Sequence, residues 1–300
     1  MEETPLDPSA IEAINADASR LMKHGISRMG DSDRHAVLHA LECFDQALAL
    51  RRQLPVHTDP LLAYGLAACL LNRGDALTRL GGDVHLLEAI GAYEEGIDVL
   101  RALPLDADPR FRRRLAMAHH NRGLALGARG RASMDPAIAA FSDAIRVLEG
   151  DRDAPIPDKP YLLAVTWMNL AQALLLDDTT EAADRARDAA LRALALVAAD
   201  ETRDLSAAEV GLKARHLCCR ALLPRLFEPQ GEESIPDEIH QATDLVDEGL
   251  ALARRWEQEG VTSFRDLADD LFRFGARLYG RYQPQFLVEF LGDNTDRSDA

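Results

Sequence analysis

The sequence predicts an all-α chain of about five stacked helical hairpins closed by a C-terminal capping helix, and three observations predict it. The first is internal repetition. Asn72, Arg73, Gly74, Asp75, Ala76, Leu77 recurs as Asn121, Arg122, Gly123, Leu124, Ala125, Leu126, and a third version runs Asn169, Leu170, Ala171, Gln172, Ala173, Leu174. The asparagines stand 49 and 48 residues apart, and a fixed period of that size marks stacked supersecondary units. The second is composition: 47% of residues are hydrophobic, with Ala and Leu ahead of β-branched types, and only 5% are aromatic. Such a balance favours helices. The third is punctuation. Asp59–Pro60 and Asp108–Pro109 each place an N-capping Asp before Pro at the first helical position, where its missing N–H costs nothing. Lys159–Pro160, after Asp158, marks the same place.

The first helix starts near Pro8 and carries Ile11, Ile14, Leu21 and Met22; its Gly25 precedes Gly74 by 49 residues. After Asp33, the residues Val37, Leu38, Leu41, Phe44 and Leu48 fall at helical spacing, so a second helix runs up to Pro55. The same alternation gives helix pairs at about 8–55, 56–104, 105–151, 152–200 and 201–260. First helices carry a small residue in register (Gly25, Gly74, Gly123, Ala171, Cys219), and second helices carry another (Ala47, Gly96, Ala144, Ala190, Gly249). Three residues before the second series stand Phe44, Tyr93, Phe141, Arg187 and Val246. Gly costs about 1 kcal/mol against Ala inside a helix, so its repeated use predicts close backbone approach between paired helices. Phe264, Leu267, Leu271, Phe274 and Leu278 make an amphipathic helix that caps the stack over about 262–290. The whole of 1–290 reads as one helical-repeat domain. The stretch 224–236 reads as a mobile loop, and 291–300, rich in Asp, as a disordered tail.

The formal charge of −16 argues against a nucleic-acid footprint and against an anionic membrane surface. The acidic start has no apolar run behind it, so no signal peptide is expected, and no apolar stretch reaches the roughly 18 residues of a spanning helix. Cys43, Cys69, Cys218 and Cys219 lack metal-ligand spacing and read as reduced, buried side chains of a cytoplasmic protein. His35, His39 and Glu42 fall at a spacing that can share a helix face, but they bracket Leu38 and Leu41 as a solvated flank would. No metal and no other cofactor is therefore expected. Neither a Gly-rich phosphate loop after a strand nor a Gly-x-Ser-x-Gly elbow occurs, so the chain does not read as an enzyme.

The repeated segment resembles the first helix of the tetratricopeptide repeat (TPR), strongest at 167–191 and extending over roughly 10–260. The period exceeds the family's 34 residues, and Arg73 and Arg122 stand where the family usually has Leu. The resemblance implies a right-handed superhelical solenoid whose first helices line a concave groove. It points to Asn72, Asn121 and Asn169 as groove residues. A carboxamide offers one acceptor and two donors, which matches a peptide group. The alternative is that these asparagines brace neighbouring helices. Arg110, Arg114 and Asn121 form a stripe at helical spacing, with His120 and Lys23 near the same surface. That set would suit an extended peptide or protein segment, an acidic one included; the competing account for the arginines is ordinary pairing with Asp106 and Asp108. The chaperone-binding clamp of the family is not reproduced, since Leu217 replaces its Arg. The function expected is non-catalytic binding of a protein or peptide as an adaptor. Two alternatives are a self-assembling structural subunit, joined as a homo-oligomer through 264–288, and an intracellular receptor for a short peptide signal.

Overall fold

The computed structural model describes residues 7–31, 33–150, 156, 158–227 and 236–294, and among them every regular element is helical. Contacts divide the chain into two compact units, 1–157 and 158–300. The first holds α1 (Pro8–Met29), α2 (Arg34–Arg51), α3 (Pro60–Leu80), α4 (Asp83–Arg101), α5 (Pro109–Ala128) and α6 (Met134–Glu149). The second holds α7 (Lys159–Leu174), α8 (Thr180–Val197), α9 (Leu205–Phe227), α10 (Pro236–Gln258), α11 (Arg265–Tyr282) and α12 (Leu287–Asp293). Within the first unit α1/α2, α3/α4 and α5/α6 pack as hairpins, and α2 on α3 and α4 on α5 join successive hairpins.

The Asp–Pro signals act as the sequence predicts. The side chains of Asp7, Asp59 and Asp108 accept from the N–H groups of Ala10, Leu61 and Arg110 at 2.9, 2.7 and 2.8 Å, each satisfying a donor that the helix start leaves open. Asp158 does not cap: it sits in the left-handed region at φ 59. Gly81 and Gly82, both at positive φ, make the tight turn between α3 and α4 that only residues without Cβ enter freely.

The repeated glycines are explained by rings rather than by backbone contact. A Cβ on Gly25 would stand 2.5 Å from the ring of Phe44, on Gly74 2.6 Å from Tyr93, and on Gly123 2.7 Å from Phe141. Each ring comes from the second helix of the same hairpin, is buried, and fills the space the absent methyl leaves. In the fourth hairpin Arg187 replaces the ring and pairs with Glu238 at 3.0 Å, and there the small residue is Ala171.

In the second unit, α8 and α10 both pack on α9. Arg215, buried, lays both guanidinium nitrogens on Glu201 at 2.7 and 2.9 Å and reaches Glu248 at 3.1 Å, while the Trp256 indole donates to the Glu201 carbonyl at 3.0 Å. As expected, α11 covers α9 and α10: Leu271 and Leu278 are buried, and Tyr279 donates to Asp247 at 2.6 Å. Phe290 of α12 then packs on Tyr279 and Phe272. Two boundary expectations change. The break expected from residue 224 starts later, because α9 continues through Pro224 to Phe227; 228–235 lie outside the described residues. Of the expected tail, 291–293 belong to α12 and Asn294 is buried; 295–300 lie outside the described residues.

The ring-on-glycine packing predicts a reversal of sign. Gly123→Ala should destabilise the wild type by about 1–3 kcal/mol, because overpacking against Phe141 outweighs the helix propensity gained. In a Phe141→Ala background the same change should be neutral or stabilising by up to about 1 kcal/mol. Urea denaturation of the four proteins measures the cycle, and a wild type stabilised by Gly123→Ala would refute the packing account.

Candidate functional site

On α3 the half-buried or exposed residues Leu61, Tyr64, Ala68, Asn72, Asp75 and Arg79 recur every three or four positions, so they form one stripe. On α5, Arg110, Arg113, Met117, His120 and Leu124 do the same. The opposite, second-helix face has its charges settled. There a cavity of about 440 Å³ is lined by Asp45, Arg52, Arg73, Glu88 and Glu95 among others. Arg73 binds Asp45 at 2.7 Å and Glu88 at 3.2 Å, and Arg52 binds Glu95 at 2.8 Å. Arg122 likewise reaches Glu94 at 2.8 Å. The two arginines that depart from the repeat pattern thus tie first helices to neighbouring second helices.

The first-helix face is different. Arg114 is half-buried with its guanidinium carbon 4.7 Å above the Tyr64 ring, and it has no hydrogen-bond or ion-pair partner among the described residues. Tyr64 in turn leans on Phe111 at 5.4 Å between centroids. Arg51, at the end of α2, is only 8% exposed and donates to Asn15 at 2.8 Å and Ser19 at 3.1 Å, both on α1. No carboxylate faces it among the described residues, in contrast to Arg215. Gly65 leaves room for it: a Cβ there would stand 1.9 Å from the guanidinium. Both arginines act on the buried Cys69 thiol, which burial nevertheless pushes up to about 11. Two guanidiniums without an ion-pair partner among the described residues therefore lie around one point of α3: Arg51 among neutral groups, and Arg114 within electrostatic reach of Asp75.

The asparagines fare unequally. Asn72 is half-buried and donates to Ala68 of its own helix at 2.7 Å, and its amide oxygen has no partner among the described residues. Asn121 donates across to Asp75 at 2.8 Å, on the same oxygen that takes the Tyr93 hydroxyl at 2.7 Å. That shared carboxylate links α3, α4 and α5. Burial raises the Asp75 pKa although Tyr93, Asn121 and Arg114 oppose the shift. Asn169 is half-buried on α7, in the other unit. Lys23 is exposed on α1. Arg110 is clasped to Asp108 at 2.6 Å, and Arg112 pairs with Asp106, the pairing that competed with a ligand role. His120 lies 5.6 Å from the Phe141 ring. Tyr64, Arg51 and Asp75 were missed from the sequence. Tyr64 was within reach, since it stands eight residues before Asn72 on the same stripe; Arg51 was not, because it arrives from a second helix.

Of the metal spacing considered, His35 turns to Asp33 at 3.5 Å, and His39 faces His24 and Cys43 instead.

No protein-family model matches the sequence, and no curated protein matches it. Among solved structures, the apo form of the quorum sensor NprR from B. thuringiensis aligns over 99% of this chain and 86% of its own, with 13% identity and a TM-score of 0.48. At that score the likeness carries no argument about function. What the structure itself gives is an all-helical chain whose helices pack neighbour on neighbour, as three successive hairpins in the 1–157 unit. No helix among the described residues is long and apolar enough to cross a membrane.

The buried histidines predict acid sensitivity. His119 is 2% exposed, and burial depresses its pKa to about 4; Arg101, Arg122 and Arg146 depress it further, while Asp143 at 3.8 Å opposes them. The ring is therefore neutral near pH 7 and makes no ion pair there. Burial likewise takes His120 to about 4. A base with a depressed folded pKa binds fewer protons folded than unfolded, so its contribution is complete above about pH 6.5 and is lost as pH falls towards 4. For His119 the loss is on the order of 3 kcal/mol. Denaturation at pH 7, 5.5 and 4.5 should show stability falling, and less steeply in His119→Gln. An unchanged slope in that variant would remove His119 from the account.

Proposed function

We propose that this protein is a non-catalytic binding adaptor that holds an extended, acidic segment of a partner protein on the first-helix face of its 1–157 unit. The observation that carries the reading is the pair Arg51 and Arg114, two sheltered guanidiniums without a carboxylate partner among the described residues of a chain that is otherwise strongly acidic. A buried charge with only neutral hydrogen-bond partners, as Arg51 has, is costly, and a carboxylate approaching α3 relieves that cost. Arg114, held flat by Tyr64, keeps its planar donor fork available for such a group. The open amide oxygen of Asn72 suits a peptide N–H. Lys23 on α1 and His120 on α5 would add to that face, and Arg110 would trade Asp108 for a ligand carboxylate. Asn121 acts through Asp75, by fixing α5 against α3.

Catalysis finds no support in the thiols: burial pushes Cys69 to about 11 and Cys218 to about 12, so both stay protonated and unreactive. Four free, buried cysteines suit a reducing cytoplasm.

Binding of fluorescein-labelled peptide pools, one rich in Asp and Glu and one neutral, tests the reading. The acidic pool should bind, and more weakly as salt shortens the Debye length from about 10 Å at 0.1 M. Arg114→Ala and Asn72→Ala should each weaken binding by about 1–3 kcal/mol with the thermal midpoint nearly kept. Asn121→Ala should instead lower stability, because it removes a donor from the buried Asp75. Equal binding of both pools, or full affinity in Arg114→Ala, contradicts the proposal.

A further inference from the structure

Away from that stripe, one group of side chains has no other employment. His39 and Cys43 stand one turn apart on α2, and His24 faces them from α1. One donor atom from each lies within 4.8 Å of the others. Cys43 Sγ is 3.9 Å from His39 Nδ1, and the rings of His24 and His39 meet edge to face with centroids 5.1 Å apart. His24 has no hydrogen-bond partner among the described residues, and His39 has none besides the thiol. Two imidazoles and a thiol thus converge without a backbone or carboxylate group that would explain their convergence.

We propose that His24, His39 and Cys43 form a zinc site that clips α1 to α2, with its fourth position open to solvent. Two nitrogens and one sulfur are the donor set that a borderline-soft, tetrahedral cation takes. Bonds of about 2.0–2.1 Å to nitrogen and 2.3 Å to sulfur set donors about 3.3–3.6 Å apart. The Cys43–His39 pair, at 3.9 Å, is already close to that, and no donor pair exceeds 4.8 Å, so rotation of the two exposed imidazoles closes the set on the buried Cys43. The open position falls to water, since both rings face solvent. On binding, the Cys43 S–H bond breaks, its electron pair passes to the metal, and the proton leaves to solvent.

Cobalt(II) titrated into the reduced, chelator-treated full chain reads the site by absorbance, because thiolate coordination gives a sulfur-to-metal charge-transfer band. One equivalent should produce the band together with the visible bands of a four-coordinate ion. Cys43→Ser should abolish the charge-transfer band with helical circular dichroism retained. His24→Gln, a surface change, should weaken binding at least roughly tenfold, a scale that even outer-sphere changes reach. Zinc should raise the thermal midpoint of the wild type and leave that of His24→Gln where it is. Absence of the band, its persistence in Cys43→Ser, where Cys69, Cys218 or Cys219 would have to supply it, or unchanged affinity in His24→Gln would overturn the assignment.

Discussion

The first unit depends on one contact repeated three times: an aromatic ring from a second helix seated on a first-helix residue that has no Cβ. Phe44 on Gly25, Tyr93 on Gly74 and Phe141 on Gly123 set how closely each hairpin closes. A ring buries far more apolar area than the aliphatic residue it could be exchanged for, and the glycine's cost in helix propensity is small beside that. The contact also fixes rotation. With Gly74 turned towards Tyr93, Asn72 and Tyr64 fall on the flank of α3, half open to solvent, while Leu70 and Leu77 stay inside.

Charge is distributed as unevenly as packing. On the second-helix face every arginine named has a carboxylate, and these exposed pairs contribute little individually. Their effect is to leave that face without unmet electrostatic demand. On the first-helix face Arg51 and Arg114 have none. The comparison with Arg215, buried like Arg51 but held by Glu201 and Glu248, shows that this chain supplies counter-ions to a sheltered guanidinium elsewhere. The unmet charge is therefore local to α3 and its neighbours, and it gives the binding proposal its chemical direction.

Much of this was legible in the sequence because the signals are local. Asp–Pro caps, the 49-residue period and the paired small-residue series each depend on neighbours along the chain, and they located the helices and the hairpins. The ring-on-glycine contact was visible as two aligned columns, although the sequence suggested a backbone contact where a side chain makes it. The candidate site was legible only in part. Asn72 and Arg114 follow from helical spacing. The commitment of Asn121 to Asp75, the arrival of Arg51 from α2 and the convergence of His24 on His39 depend on which helices touch, and no periodicity along one helix encodes that.

The central claim is that the first helices of the 1–157 unit form the binding face. Hydrogen exchange of the full chain with and without an acidic peptide tests it most directly, because it reports protection helix by helix. The account predicts added protection in α3 and α5 at saturating peptide, with α4 and α6 unchanged. Protection confined to α2 and α4, around the Asp45–Arg73–Glu88 cavity, would contradict it.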